Sequence, residues 1–310
     1  MTTNRTAIFA LAAAGALWGL TVPLSKLSLD WLGGGWLTVV RFALAAPLLA
    51  YAGRRGLRAA LTPQIAAAGA IGFGAVILLQ NAGIERTSVS HAALVVGAVP
   101  VMVALMAAAL GHGVARPTAW IGYGLALGGI AIVAGGGGAG STTAGDLLVL
   151  ASVALSATFI VAQPRLLAGR DPAAVTAVQF AAGAVVALPH ALAFEGLPPA
   201  PAQTGPVAAL VALALAGTLI PFWLFAYGQA HVPAGFAGAF LNLEPLVGVV
   251  VGWVGFDEVV AANQLLGGVA VLAGIALSTR NPSEERRRPR GGRPRPWQLR
   301  PLIGTGSCAG

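Results

Sequence analysis

Few side chains in this chain can ionise, so those inside apolar runs stand out. Glu244 is the first of them. It sits with Asn242 and Pro245 at the middle of AGFAGAFLNLEPLVGVVVGWVGFDE, Ala234 to Glu258. That stretch is long enough to cross a bilayer, which takes roughly 20 apolar residues. A carboxyl at the centre of a spanning helix costs about 2.5–3.5 kcal/mol on insertion scales. It is tolerated where it faces a polar cavity or a partner, and there it can carry a proton or hold a cation. Pro245 has no N–H to give to the carbonyl of Leu241, which predicts a ladder opened one turn earlier. Gly238, Asn242, Pro245, Gly248 and Gly252 recur at three- and four-residue spacing. They share one small, partly polar face, suited to close packing or to lining a passage. Glu244 lies roughly 100° from Pro245, at the edge of that face. Two readings stay open: a kinked helix with a paired carboxyl, or a group that takes part in moving a solute.

Other polar and aromatic residues interrupt apolar runs. Arg41 lies early in the second run. It either snorkels to the interface or faces the bundle as a cation for a substrate carboxylate, in reach of Glu244 or not. Gln80 and Asn81 interrupt the third run, and Tyr227, Gln229 and His231 close the eighth. These groups suit a polar solute at each mouth, or anchoring at the headgroups. Trp18, Phe222, Trp223 and Phe225 offer an aromatic wall that can stack on a cation, or ordinary packing. Pro221 is expected to kink its helix, and Pro100 is a second hinge candidate. Glu258 reads as a solvated loop carboxylate. His91, His112, His190 and His231 are scattered without metal-ligand spacing. GFG at Gly72–Gly74 and GYG at Gly122–Gly124 sit inside apolar runs, without the strand a nucleotide loop follows. No Walker motif, nucleophile–base pair or metal cluster is legible, so neither a metal, a cofactor nor an enzyme is expected.

The elements that must position these residues follow from composition. The chain is 57% hydrophobic and 9% charged, with mean hydropathy +0.81. Soluble domains carry about 25% charged residues, so this is an integral membrane protein. Ten spans are predicted near 6–25, 34–53, 64–84, 90–111, 118–135, 145–164, 173–193, 205–227, 235–255 and 262–279. All are α-helical, because backbone groups in lipid must be satisfied within the segment. With the N-terminus inside, the cytoplasmic loops hold Arg54, Arg55, Arg58, Arg116, Arg165 and Arg170, and Arg5 and Arg280 flank the ends. The outer loops hold only Lys26 and Arg86, so both termini are expected in the cytoplasm. The net charge of +8 is concentrated in loops and tail and does not indicate nucleic acid. The one cysteine, Cys308, excludes an internal disulfide.

The chain also repeats itself. A shift of 145 places Gly83 on Gly228, Pro100 on Pro245, Gly122 on Gly267 and Gly129 on Gly274. A shift of 138 places Phe42 on Phe180 and Arg41 on Gln179. Five spans per half is an odd number, so the halves are expected in opposite orientations, with the site near the midplane between them. The expected organisation is a first repeat over 1–135, a Gly-rich linker over 136–144, a second repeat over 145–279 and a tail over 280–310. The tail is rich in Arg, Pro and Gly. It should be disordered and cytoplasmic, where it contacts anionic lipid or fixes topology.

Six pieces carry a family resemblance: ALWGLTVPLSK at Ala16–Lys26, VVRFALAAP at Val39–Pro47, AALVVGAVPVMVALMAAALG at Ala92–Gly111, WIGYGLALGGIAIV at Trp120–Val133, LEPLVGVVVGWVGFDE at Leu243–Glu258 and LLGGVAVLAGIAL at Leu265–Leu277. In order and duplication the chain resembles the EamA-type transporters of the drug/metabolite transporter superfamily. The resemblance implies a ten-helix secondary transporter with a central cavity between two inverted five-helix repeats. It implies small metabolites, amino acids or drugs as cargo, often moved outward. One departure is Gly111–His112–Gly113, where the family often has Gly-Glu, as Glu258 has in the second half.

The expectation is an all-α secondary transporter exporting small metabolites or amino acids by alternating access. Glu244 is the candidate carrier if protons are coupled. Efflux of aromatic cations and a non-transporting sensor or scaffold are the alternatives. The composition fits a GC-rich bacterial genome and a bacterial plasma membrane. Expected partners are a small-molecule solute, membrane lipid and protons, and no nucleic acid; nothing in the chain specifies an oligomeric state.

Overall fold

Apolar runs that must satisfy their own backbone groups in lipid form helices, and helices build all the regular structure among the described residues. The computed structural model describes residues 5–109, 117–135, 141–231, 240, 243–258 and 261–279. Asn242, Gly238, the Gly111–Gly113 departure, most of the Gly-rich linker and the tail over 280–310 lie outside them. At Pro100, Tyr227, Gln229 and His231 the backbone alone is described. In chain order the helices are α1 Arg5–Gly19, α2 Thr21–Leu29, α3 Gly34–Ala52, α4 Leu57–Ala60, α5 Pro63–Gly69, α6 Val76–Ile84, α7 Val89–Val96 and α8 Val99–Ala109. They continue as α9 Pro117–Gly135, α10 Thr143–Leu167, α11 Pro172–Phe194, α12 Thr204–Ala214, α13 Ile220–His231, α14 Leu243–Gly255 and α15 Ala262–Thr279.

Six stretches are long and apolar enough to cross a membrane: Arg5–Leu29, Gly34–Ala52, Pro63–Ile84, Thr143–Gln163, Pro172–Phe194 and Thr204–Phe225. Shorter apolar helices occupy the other four predicted positions.

Three prolines start helices, while Pro47 and Pro189 lie inside α3 and α11. Pro23 and Pro245 are the third residues of α2 and α14, and Pro100 is the second of α8. The first N–H groups of a helix have no intrahelical partner, so a missing donor costs nothing there. The chain therefore stops and restarts, at Leu20 between α1 and α2 and at Gly97–Ala98 between α7 and α8. This corrects the expected single helix over 90–111. It also moves Glu244 from mid-helix to the second position of α14, where a carboxylate suits the positive end of the helix dipole.

Two π-helical turns mark the third and eighth runs, Ala70–Ala75 and Leu215–Leu219. They stand 145 residues apart, the same shift that relates the prolines. The second of them ends at Leu219, two residues before Pro221.

Helix pairs follow the same relation. α9 packs along α15 through facing glycines. A Cβ on Gly129 would lie 2.5 Å from the Gly267 carbonyl oxygen, one on Gly267 2.6 Å from that of Gly129, and one on Gly274 2.5 Å from that of Gly122. The pairing is reciprocal and runs antiparallel. α3 packs on α11 around Phe42 and Phe180, whose rings are 4.8 Å apart. α1 packs on α13 and α10 on α6, another pair of contacts that the shift exchanges. Close backbone approach of this kind holds helices together in lipid, where apolar burial contributes little. Large apolar side chains point outward instead, Phe9, Tyr51, Trp223 and Val254 among them.

Candidate functional site

Two broken runs and the first turns of α14 meet at one place. Gly19, the last residue of α1, packs so closely on α14 that a Cβ there would lie 2.7 Å from the Glu244 carbonyl oxygen and 2.6 Å from Val247 Cβ. Gly97, in the break before α8, faces the Pro245 ring, and Gly248 faces Ala93 of α7. Pro245, Gly248 and Gly252 are buried. Of the small face read from the sequence, Gly248 and Gly252 pack against α7, and Pro245 packs against Gly97. The Glu244 side chain is half-buried, and nothing among the described residues pairs with its carboxylate.

Arg41 lies on α3 and is 7% exposed, so it does not snorkel. Its Nε donates to Thr218 Oγ1 at 2.8 Å, and Thr218 in turn donates to the Leu213 carbonyl at 2.9 Å. That second bond spans five residues, the register of the π-helical turn. No carboxylate pairs with Arg41 among the described residues, and the possible pair with Glu244 is not formed. The guanidinium carbon lies 5.5 Å from the Phe42 ring centroid, within cation–π range. The position related to Arg41 holds Gln179, fully buried and amide-paired with Gln163 at 2.9 and 3.0 Å. The two related positions thus hold one cation and one paired amide.

Aromatic rings join these two places. Phe42 packs on Phe180, Phe180 on Phe222 at 6.1 Å, and Phe222 edge-on to Trp18 at 5.4 Å. Trp18 also meets Phe225 at 5.2 Å and precedes Gly19. The row runs from Arg41 to the neighbourhood of Glu244. Trp223 does not belong to it: the side chain is 76% exposed and faces away from the bundle.

The remaining candidates separate. Asn81 is buried, and its amide donates to the Gly34 carbonyl and to Thr38 Oγ1, both at 3.1 Å. It fastens α6 to the start of α3. Gln80 beside it is half-buried. A polar hollow of about 210 Å³ opens nearby between Gly34, Ala82, Glu85, Arg86, His190 and Glu195. A second, apolar hollow of about 170 Å³ lies between α7, α14 and α15. Neither is lined by Arg41 or Glu244.

Glu258 is not a solvated loop carboxylate. Its Oε1 accepts from Val89 N at 2.6 Å and its Oε2 from Ser90 N at 2.9 Å. It caps α7 from the other half of the chain. Glu195 does the same for α3, accepting from Gly35 N at 2.7 Å and Trp36 N at 3.1 Å.

A further buried group is not joined by anything in the sequence spacing. His91 Nδ1 lies 3.0 Å from Asp146 Oδ2, with the two side chains 0% and 2% exposed. The other Asp146 oxygen accepts the Thr87 hydroxyl. His91 Nε2 is buried without a hydrogen-bond partner. Lys26 lies at the same corner, its Nζ donating to the carbonyls of Ile84, Glu85 and Thr87 at 2.6, 3.2 and 2.9 Å. The only available signal was His91 and Asp146 each standing in the first turn of a helix.

Residues 5–135 and 143–280 each match the model of the EamA-like transporter family. A protein of Streptantibioticus cattleyicolor named "Probable terminal-alkyne amino-acid exporter" is 30% identical over 91% of this chain and 96% of its own length. An uncharacterized transporter of Archaeoglobus fulgidus is 25% identical over 87% and 96%. The uncharacterized transporter YdfC of Bacillus subtilis is 26% identical over 70% and 71%. One crystal structure superposes with a TM-score of 0.64 at 20% identity, covering 89% of this chain and 97% of its own. That likeness concerns the fold alone.

Proposed function

This chain belongs to the EamA-like transporter family and is a multi-pass membrane transporter, and from that premise we propose that it exports amino acids or similar small carboxylates by alternating access. The observation that carries this reading is Arg41. A guanidinium buried in a bundle, with a single hydroxyl as its hydrogen-bond partner among the described residues, is costly unless an anion visits it. Its setting at the start of an aromatic row fits a solute with a carboxylate and an apolar or unsaturated side chain. The name of the Streptantibioticus relative, an amino-acid exporter, points the same way.

The reading includes ten spans in two inverted repeats, over 1–135 and 145–279, joined by the Gly-rich linker. Arg170 Nε donates to the Ala59 carbonyl at 3.2 Å, so the arginine-bearing loops near 54–58 and 165–170 share one end. The positive-inside rule makes that end cytoplasmic, with both termini there and Lys26, Arg86, Glu195 and Glu258 at the outer end. The membrane is then a bacterial plasma membrane. The solute contacts assigned are Arg41, Trp18 and Gln80, with Asn242, Tyr227 and Gln229 as further candidates from the sequence. Glu244 is the proton carrier of a coupled cycle.

A second reading, efflux of aromatic cations, is favoured by Trp18, Phe222 and Phe225 standing near an unpaired Glu244. Purified protein in liposomes loaded with pooled L-amino acids, other small metabolites and aromatic cations decides between them. A pH gradient is imposed and the released solutes are identified. Gradient-driven release of amino acids supports the first reading, and release of cations alone supports the second. No release above empty liposomes would overturn both and favour a sensor or scaffold.

A further inference from the structure

The corner around His91 is built from both halves of the chain and is closed by charge. Lys26, Thr87 and His91 come from the first half; Asp146 and Glu258 come from the second. Every polar bond between the halves here ends on a residue of the 86–91 segment. Thr142 N and Oγ1 donate to the Arg86 carbonyl at 3.1 and 2.7 Å. Asp146 takes Thr87 and His91, and Glu258 takes the amides of Val89 and Ser90. If the outer face opens by parting the halves, these bonds must break together.

The charges facing His91 can be counted from each neighbouring element. α10 supplies Asp146. The segment after α14 supplies Glu258, bonded to the two residues before His91. α2 supplies Lys26, bonded to the Thr87 carbonyl. α9 supplies the neutral phenol of Tyr123, buried in the same apolar cluster as Val89. Glu85 and Arg86, next to the segment, pair with each other at 3.4 Å on the exposed side. Asp30, at the end of α2 beside Lys26, and Asp257, beside Glu258, are exposed to water; setting these and that pair aside, two carboxylates face one ammonium. A single proton on the fully buried His91–Asp146 dyad balances the corner, and without it the net negative charge rests on the buried Asp146, with Lys26 and Glu258 half-buried. A net charge is tolerated in water and costly when enclosed.

Resting on the transporter reading and its orientation, we propose that His91 and Asp146 form a proton-binding site whose occupancy from the outer side holds the two halves closed at that face. The ring presents Nδ1 to Asp146, and its Nε2, which has no partner, is the atom that takes the proton. Loss of that proton to the outside water favours separation of Asp146 from His91 and Thr87, and so the outward-open form. This site is separate from Glu244, which lies at the opposite end of α14 from Glu258.

The test reads opening directly and needs no solute. In a Cys308→Ser background, Val149→Cys places a thiol one turn beyond Asp146. Val149 is 0% exposed and lies under Gly83 of the other half. A membrane-impermeant maleimide is added outside right-side-out vesicles between about pH 5.5 and 8.5, a range that spans imidazole titration. Rates are divided by those of Leu197→Cys, an 81% exposed position, which cancels the thiol's own pH dependence. The expected ratio rises with pH, by up to about tenfold per unit, the limit for one linked proton. His91→Gln, which cannot take the proton, should label fast at every pH. Asp146→Asn, already charge-balanced, should label slowly at every pH. A merely structural role predicts that both variants label faster. That result overturns the proposal, as does a flat ratio in the parent or an unchanged pH profile in the variants. If His91→Gln does not fold, the profile of Asp146→Asn decides alone. Flux without these labelling changes sinks the proton site and keeps the transporter; labelling as expected without flux of any pooled solute does the reverse.

Discussion

Gly97, in the break between α7 and α8, packs against the ring of Pro245, in the first turn of α14: a Cβ on Gly97 would lie 2.5 Å from Pro245 Cβ. Neither side can yield cheaply, because one contact atom belongs to a proline ring and the other would be fixed to the backbone. Gly97→Ala must therefore push α7 and α14 apart. Overpacking of this kind costs about 1–3 kcal/mol, read as a lower melting temperature of the purified protein in detergent. Gly124→Ala is the control: a Cβ there meets nothing within 4 Å. It should be neutral or stabilising, since Ala is favoured over Gly in a helix by about 0.5–1 kcal/mol.

Arg41→Gln separates a binding role from a structural one by sign. If the guanidinium waits for a solute carboxylate, its removal relieves an unpaired buried charge, and the solute-free protein melts no lower than the parent. Transport of a carboxylate solute then weakens about tenfold to hundredfold, the worth of hydrogen bonds to a charged group. The measurement is the pair of melting temperature and flux KM for the same variant. Marked destabilisation with unchanged KM would assign Arg41 to the Thr218 contact alone.

Glu258 and Glu195 each cap a helix of the other half, so their loss should be felt locally. Glu258→Gln keeps one acceptor oxygen and loses the charge at the α7 N-terminus. The expected cost is about 1 kcal/mol, the typical worth of an N-cap. Hydrogen exchange should quicken at the amides of Val89 and Ser90 and stay unchanged at Gly35 and Trp36, which Glu195 holds. Faster exchange at all four would mean that the outer end loosens as one unit.

What could be read from the sequence was whatever rests on composition and spacing. Apolar runs announce helices because lipid leaves the backbone no other partner. The shift relating Pro100 to Pro245 and Gly129 to Gly274 reappears as reciprocal glycine contacts and as two π-helical turns. Arg41 stood out because a cation in an apolar run must face something polar. The rest depended on direction and on partners distant in sequence. Pro245 could kink a helix or start one, and spacing alone does not tell which. Phe222 and Trp223 are adjacent, yet one joins the aromatic row and the other faces outward, a difference of 100° around α13. His91 and Asp146 are 55 residues apart, and only the packing of α7 on α10 joins them. Glu258 looked like a loop residue because the amides it caps belong to the other half.

Glu244→Gln tests whether the unpaired carboxylate carries protons. Glutamine keeps the size and polarity of the side chain and removes the exchangeable proton site. The first-turn position on α14 tolerates a neutral polar residue, with the loss of a favourable dipole contact worth about 0.3–1 kcal/mol. Expression and folding should therefore survive. Proton-coupled export requires the carboxyl to exchange its proton between the two faces, so flux driven by a pH gradient should vanish. Exchange of solute for solute at equal pH uses only the loaded carrier and should persist. The two assays on the same proteoliposomes give the answer. Loss of both would place Glu244 in solute binding, and loss of neither would make it a structural carboxylate at the helix start.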